Sequence, residues 1–428
     1  MVSMVVNVGI GIAGIVMLLL LALGVPVFAA LGLGTILFLT SDPTLAPTLI
    51  ADGLFSGLDN FALIAVPLFI FTGDAVTEAG IAEDLLDFAE KIVGGFRTGV
   101  GSATILGCGF FATISGSSSS DAAAIGRMTI PRLEKLGYSR SYASAMIASG
   151  ASTGVLIPPS ITYIVAGIAL GLPASRLFKV AFLPGLMILF GMIVVNVIMN
   201  RRKDYEQGTR FGSPGEIVKS MWVAKFGLAI PFIILGGIYS GVFTPTEAAA
   251  VAVAVGLLVG GYVGTIKFAD YPGMLERSAL VNAMVAPVIA VGIVMSQVFA
   301  RIGLPDLVAG AITSFSSNFF IITTLMVLVF LAAGTIMDIT PNVIILGPLF
   351  GPIAANIGID PYHFTVFFMT ALAVGFITPP VGLNLYVLAG ISDEPILDIS
   401  RDAVPFMISM LALVLILAWF PQLFMWVI

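Results

Sequence analysis

The residues of this 428-residue chain best suited to chemistry lie in the run Phe111-Ala-Thr-Ile-Ser-Gly-Ser-Ser-Ser-Ser-Asp121. Hydroxyls and a carboxylate bunched around a glycine supply oxygen ligands, the donor type that sodium takes in membrane carriers. The surrounding sequence is apolar enough for a bilayer. There each unsatisfied polar group costs several kcal/mol, so irregular backbone persists only buried in protein or lining a cavity. A counterpart lies about 222 residues further on, Ala333-Gly-Thr-Ile-Met-Asp-Ile-Thr-Pro-Asn342. The two loops are expected to meet at a central ion and substrate site.

Oxygen donors continue around each loop. The first half offers Ser115, Ser117, Thr153 and the carbonyls around Gly154-Val155. The second offers Asp338, Thr340, Thr378 and the carbonyls around Gly334 and Gly375-Phe376. The competing reading is that these small residues only let helices pack closely. Packing alone does not explain consecutive serines followed by a carboxylate. Asp121 and Asp338 are the foremost intramembrane carboxylates. Asp121 is either functional or neutralised by Arg127, whereas Asp338 has no cation near it in sequence. Arg127 either grips a substrate carboxylate bidentately or snorkels from a hairpin base to the interface. Asn384 and Tyr386 either face substrate or pack, and Asp74 and Glu247 are either functional or helix caps. The substrate-facing set is expected to comprise Ser117, Ser118, Asp121, Arg127, Thr340 and Asn384. The sequence has no P-loop, no H-E-x-x-H, no G-x-S-x-G and no basic nucleic-acid patch, so ATP-driven, hydrolytic and nucleic-acid-binding readings have no residues to stand on.

The elements that must position these residues are membrane spans. The chain is 59% hydrophobic and 10% charged, with a mean hydropathy of +1.11, whereas soluble domains carry roughly 25% charge. A single cysteine, Cys108, excludes an intrachain disulfide, and a single histidine, His363, argues against a histidine metal site. Residues 1–23 lack a basic n-region and a cleavage site and read as a retained span. Further spans are expected near 24–41, 61–80, 177–199, 217–240, 246–264, 279–301 and 403–428. Ser41–Asn60 reads as a surface connection with a short helix, and Glu78–Arg97 as an amphipathic surface helix.

Segments 98–131 and 318–353 have arms too short to span and read as re-entrant hairpins. Segments 141–172 and 362–389 are interrupted by Pro158-Pro159 and Pro379-Pro380, so each reads as a broken span. Thr113-Ile114 aligns with Thr335-Ile336 at an offset of 222, and Gly154 with Gly375 at 221, which makes 1–200 and 217–428 two repeats around a cytoplasmic linker at 201–216. Five full spans per repeat is an odd number, so the repeats are inverted. Lys and Arg cluster at 127–140, 201–225 and 267–277, placed in the cytoplasm, and none falls between Ile302 and Ser400. Both termini are then outside, with Arg176 and Lys179 as the dissent. The expected fold class is an all-α polytopic membrane protein, an inverted-repeat transporter.

At these motifs the chain resembles the large membrane subunit of tripartite ATP-independent periplasmic (TRAP) transporters. The resemblance rests on Ser115-Gly-Ser-Ser-Ser-Ser-Asp-Ala-Ala-Ala-Ile-Gly-Arg127, Gly154-Val-Leu-Ile-Pro-Pro-Ser-Ile161, Gly334-Thr-Ile-Met-Asp338 and Thr378-Pro-Pro-Val-Gly-Leu-Asn-Leu-Tyr386, and it extends over essentially the whole chain. It implies sodium-coupled import of an organic acid, of the C4-dicarboxylate or sialic acid class, by an elevator mechanism in the bacterial inner membrane. It also implies two partners, a periplasmic substrate-binding protein and a small four-span membrane subunit. The sodium sites it implies are Ser115 with Gly154, Val155 and Pro158, and Gly334 and Asp338 with Gly375, Thr378 and Pro380. Because the chain begins directly with a large-subunit span, the small subunit is expected to be separate. The alternatives are a self-sufficient sodium/dicarboxylate symporter and a membrane enzyme or structural subunit with no transport function.

Overall fold

The computed structural model describes residues 2–41, 45–206, 212–316 and 318–428. Every regular element among the described residues is helical, and helix ends coincide with glycine, proline and capping residues. Helices α1 (Val2–Ala22) and α2 (Val27–Ser41) pack together, followed by the short α3 (Thr48–Leu58) and by α4 (Ala65–Glu78). Helix α5 (Ile81–Val93) is the expected amphipathic segment and buries Ile81, Leu85, Leu86 and Phe88 on one face. Parts of the expected connection at 41–60 and linker at 201–216, residues 42–44 and 207–211, lie outside the described residues.

The first site-bearing unit is the pair α6 (Gly99–Ser115) and α7 (Ser118–Lys135), followed by α8 (Arg140–Ala151), α9 (Ile161–Leu170) and the long α10 (Ala174–Lys203). The second half runs α11 (Pro214–Val223), α12 (Lys225–Tyr239), α13 (Pro245–Val263), α14 (Tyr271–Arg301) and α15 (Leu304–Phe315). It continues with the pair α16 (Phe319–Gly334) and α17 (Ile339–Asn356), then α18 (Pro361–Gly375) and α19 (Leu383–Ser392), and ends on α20 (Ile396–Trp419). Both Pro-Pro pairs fall in the α8–α9 and α18–α19 breaks, and both prolyl bonds between them are cis.

The two pairs are placed at opposite ends of α20. Near its start, Asp402 accepts from Ser141 at 2.7 Å, beside the base of α7. At its other end Trp419 packs edge-on against Phe320 at the base of α16, with ring centroids 5.8 Å apart. Helices α8 and α18 are buried over nearly their whole length. Helices α12 to α14, by contrast, carry exposed apolar residues such as Phe232, Leu258 and Met284.

Among the described residues six helices are long and apolar enough to cross a membrane: Phe61–Glu78, Ala174–Lys203, Pro245–Val263, Phe268–Arg301, Ile339–Asn356 and Ile396–Trp419. Several boundaries differ from the sequence expectation. The span expected at 217–240 is bent by 66° between α11 and α12. Its first part carries Glu216, Lys219 and a Ser213 capping box, which do not suit lipid, and only the second part is continuously apolar. Helix α7 continues through Pro131 to Lys135, because one lost amide does not outweigh the contacts that flank it. The last span begins at Ile396 rather than 403. Helix α15 was not anticipated, since residues 304–315 continue the apolar character of the span before them. Ile339–Asn356, expected as a hairpin arm, is long enough to span. Its apolar window is 61% buried in protein, against 33–39% for the other five helices, so most of its surface meets protein.

Candidate functional site

The first loop is a tight reversal. Helix α6 ends at Ser115, Gly116 takes φ +60°, and α7 restarts at Ser118. The left-handed conformation at Gly116 suits glycine. A Cβ there would also lie 3.1 Å from the Pro159 carbonyl oxygen and 3.2 Å from the Ile161 amide. Gly116→Ala is therefore expected to destabilise the chain by about 1–2 kcal/mol, read as a lower unfolding midpoint of the purified protein. A midpoint equal to wild type would contradict this packing.

Ser115 organises the tip. Its hydroxyl donates to Asp121 Oδ1 and accepts from the Ser117 amide at 3.1 Å. Asp121 is fully buried, and its Oδ2 has no partner. It makes no ion pair with Arg127, which is exposed and free of ion pairs among the described residues. The reading of Asp121 as half of a structural pair with Arg127 is thus not what the structure shows. Gly154 lies flush against this carboxylate: a Cβ on it would overlap Asp121 Oδ2 and stand 3.0 Å from the Ser117 carbonyl carbon. Beyond the 3-10 turn Ser152–Val155, Ser160 and Thr162 donate to the Val155 carbonyl at 3.0 and 3.4 Å.

The second tip meets the second break equally closely. A Cβ on Gly375 would collide with the Gly334 backbone, and one on Gly334 with the Leu372 backbone. Asn342 donates from Nδ2 to the carbonyls of Ala333, Met337 and Asp338 at 3.2, 3.1 and 3.0 Å, tying up the connecting turn. Its buried Oδ1 has no partner. Thr378 donates to Val374 at 2.7 Å, while Pro379 and Pro380 are exposed.

Both tips open on one cavity of about 390 Å³, lined by Ser115, Ser117, Ser118 and Val155 from the first unit and by Asp338, Thr340 and Phe376 from the second. Asp338 and Thr340 also border a neighbouring groove against Val27, Phe28 and Met284. Gly154, Gly334 and Gly375 lie at the tip–break contacts, and neither they nor Pro158, Thr378 and Pro380 are among the cavity's lining residues. Arg127 and Asn384 do not reach the cavity wall. Asn384 is buried between the halves: it donates from Nδ2 to Ser118 at 2.7 Å, Ala148 O at 2.9 Å and Ser152 at 3.3 Å, and it accepts from Ser118 at 3.0 Å. Tyr386 is exposed, and Glu247 forms a capping box with Thr244.

The opposite wall is not legible in the sequence. Asp74 and Thr77 of α4, with Val281 and Val285 of α14, face the serine tip. Asp74 accepts from Ser278 at 3.2 Å and lies 3.8 Å from Arg277, which pairs with Glu78 at 2.8 Å. A carboxylate near a span end looks like a cap in sequence, and only the α4–α14 contact turns it inward.

The profile of the family described as "Tripartite ATP-independent periplasmic transporter, DctM component" matches residues 15–423. The chain is 34% identical to the C4-dicarboxylate TRAP transporter large permease protein DctM of Pseudomonas aeruginosa, over 87% of each protein. It is 31% identical to the sialic acid TRAP transporter large permease protein SiaM of Vibrio cholerae, over 94% of each. It is 32% identical to the isethionate TRAP transporter permease protein DctMQ of Oleidesulfovibrio alaskensis over 94% of this chain, and it spans 64% of that longer protein. The crystal structure of the Alcanivorax borkumensis YdaH transporter superposes with a TM-score of 0.66 at 13% identity, covering 88% of each chain, a likeness of fold. These relatives bear the names of transporter permeases rather than enzymes. A whole-chain family match, a multi-pass helical body and two polar tips sharing one cavity agree, and the chain belongs to the DctM component family of tripartite ATP-independent periplasmic transporters.

Proposed function

We propose that the chain is the permease of a sodium-coupled secondary importer of an organic acid, seated among the lipids of a bacterial inner membrane. A periplasmic binding protein delivers the substrate, and a small four-span membrane subunit packs beside the permease. The acids named for the relatives all carry an anionic group, which motivates the substrate class. Residues 1–200 and 217–428 act as inverted repeats, with α6–α7 and α16–α17 as re-entrant hairpins. The placement of their bases at opposite ends of α20, with both tips on one cavity, supports that reading. The hairpins and broken helices move as one body against the outer helices in an elevator stroke.

One observation carries the sodium assignment: Asp121 Oδ2 is buried without a partner, behind Ser115 and against Gly154. A cation taking oxygens from Ser115 and the Gly154–Pro158 turn compensates that charge. The second ion is held by the Gly334 and Asp338 turn with the backbone from Gly375 through Thr378 to Pro380. Ser117, Ser118 and Thr340 face the substrate between the two ions.

Sodium binding is measurable without knowing the acid. A ligand of the native state at 100 times its Kd stabilises by about 2.7 kcal/mol. The unfolding midpoint of the purified chain is therefore expected to rise in sodium chloride relative to potassium chloride, and Ser115→Ala and Asp121→Asn should each remove most of the difference. Equal midpoints for wild type in the two salts would sink the sodium assignment. Sodium-driven dicarboxylate uptake by the chain alone in liposomes would instead favour the self-sufficient symporter.

A further inference from the structure

The first hairpin is held at its base by a carboxylate from a distant part of the chain. Helix α6 has no side-chain cap of its own: Thr98, its N-cap residue, bonds none of the first-turn amides. Instead Glu206, three residues beyond the end of α10, accepts from the Val100 amide at 2.9 Å and the Gly101 amide at 3.3 Å. The same carboxylate accepts from Tyr138 Oη at 2.8 Å, just after α7. Asn200 completes the ring, donating to Tyr138 Oη at 2.8 Å and accepting from the Glu206 amide at 3.1 Å. Glu206 is only 3% exposed, and Asn200 is fully buried.

Chemistry favours a carboxylate here. All three groups that meet Glu206 are donors, and an ionised carboxylate is acceptor-only. It also lies at a helix N-terminus, where negative charge is favoured. A second layer surrounds this ring. Tyr205 stacks on Tyr138 with centroids 5.1 Å apart, Lys203 lies 5.1 Å over Tyr142 and pairs with Asp402 at 2.8 Å, and Arg97 pairs with Asp204. The end of α10 therefore grips both arms of the hairpin and the start of α20.

We propose that Glu206 is a positioning residue for the transport site: by capping α6 from afar it fixes the hairpin's base and thereby the register of Ser115 and Asp121 at its tip. The inference rests on the proposed cation site only in expecting the effect to reach sodium binding. Helix α6 is the lever. Its 17 residues run from the capped turn to Ser115, and almost every one is buried.

Hydrogen–deuterium exchange of the full chain in lipid nanodiscs, titrated with sodium chloride, tests this. Glu206→Gln sets an amide NH2 against one of three donors. Exchange should become roughly five- to tenfold faster both at 98–103 and at the tip, 112–122, with the sodium concentration for half-protection raised about threefold or more. Tyr138→Phe should shift both segments in the same direction by less, and Glu206→Asp, keeping charge and acceptors, should recover part of the loss. Faster exchange confined to 98–103, with tip exchange and sodium midpoint as in wild type, would overturn the proposal. Tyr138→Phe serves as the deciding variant if Glu206→Gln does not fold. If wild type shows no sodium protection, the cation reading fails, while the comparison of tip with base still decides the role of Glu206.

Discussion

Gly375→Ala is expected to leave no stable permease with a working second site. The added Cβ would overlap the carbonyl carbon, oxygen and Cα of Gly334, and all three belong to backbone inside the helix pair. A clash with a flexible side-chain end can be relieved by a rotamer change. A clash with backbone requires α16 or α18 to move bodily, and both are packed: α18 is buried from His363 to Gly375. Overpacking costs about 1–3 kcal/mol where neighbours can adjust and more where they cannot, so a loss of about 3 kcal/mol or more is expected. The unfolding midpoint, and sodium-dependent stabilisation in whatever protein survives, are the measurements. Gly236→Ala is the control, because nothing lies within 4 Å of a Cβ at that exposed position in α12; it should leave stability unchanged or raise it by up to about 1 kcal/mol, as alanine is the better helix former. If Gly375→Ala behaved like Gly236→Ala, the close approach of tip and break in the second half would be wrong.

The glycines ahead of the two Pro-Pro breaks show what is readable in sequence. Gly154 and Gly375 sit at corresponding places before Pro158-Pro159 and Pro379-Pro380, and each approaches the turn between a pair of helices, Gly154 at Ser117 and Asp121 and Gly375 at Gly334. Polar atoms in an apolar stretch must be satisfied locally, so the tips and breaks announce themselves along the chain. What stayed hidden depends on contacts between remote segments. Glu206 reaches Val100 and Tyr138 from a stretch that reads only as a polar linker. Asp74 gains its place in the cavity wall through the approach of α14, which brings Ser278 and Arg277 beside it. The bend between α11 and α12 escaped a hydropathy average because the window blends Glu216 and Lys219 into the apolar run that follows.

Two residues that the sequence leaves open take definite positions in the structure. In sequence Arg127 reads as either a substrate clamp or an interfacial cation. It is exposed on α7, away from the lining of the central cavity. In sequence Asn384 reads as either a substrate contact or a packing residue. It is fully buried and bonded at both ends of its amide, so its reach is spent on protein partners.

Asn384→Ala should therefore act through the assembly of the two halves rather than through substrate contact. The residue lies in the first turn of α19 in the second half, yet all its side-chain partners, Ser118, Ala148 and Ser152, lie in the first. Removing it opens a small buried void and strips Ser118, which stands beside the serine tip, of its partner. Losing a buried amide with several bonds costs about 2–4 kcal/mol when the groups left behind stay unsatisfied. Asn384→Asp should be at least as damaging, because a carboxylate oxygen would then face the Ala148 carbonyl, acceptor against acceptor. The pair Asn384–Ser118 gives the decisive test. If they act as one unit, Ser118→Ala combined with Asn384→Ala should cost less than the sum of the single variants, with a coupling of about 0.5–3 kcal/mol. Additive losses would mean that Ser118 and Asn384 are held independently. In that case the link between the serine tip and the second half would have to run through the tip–break contacts instead.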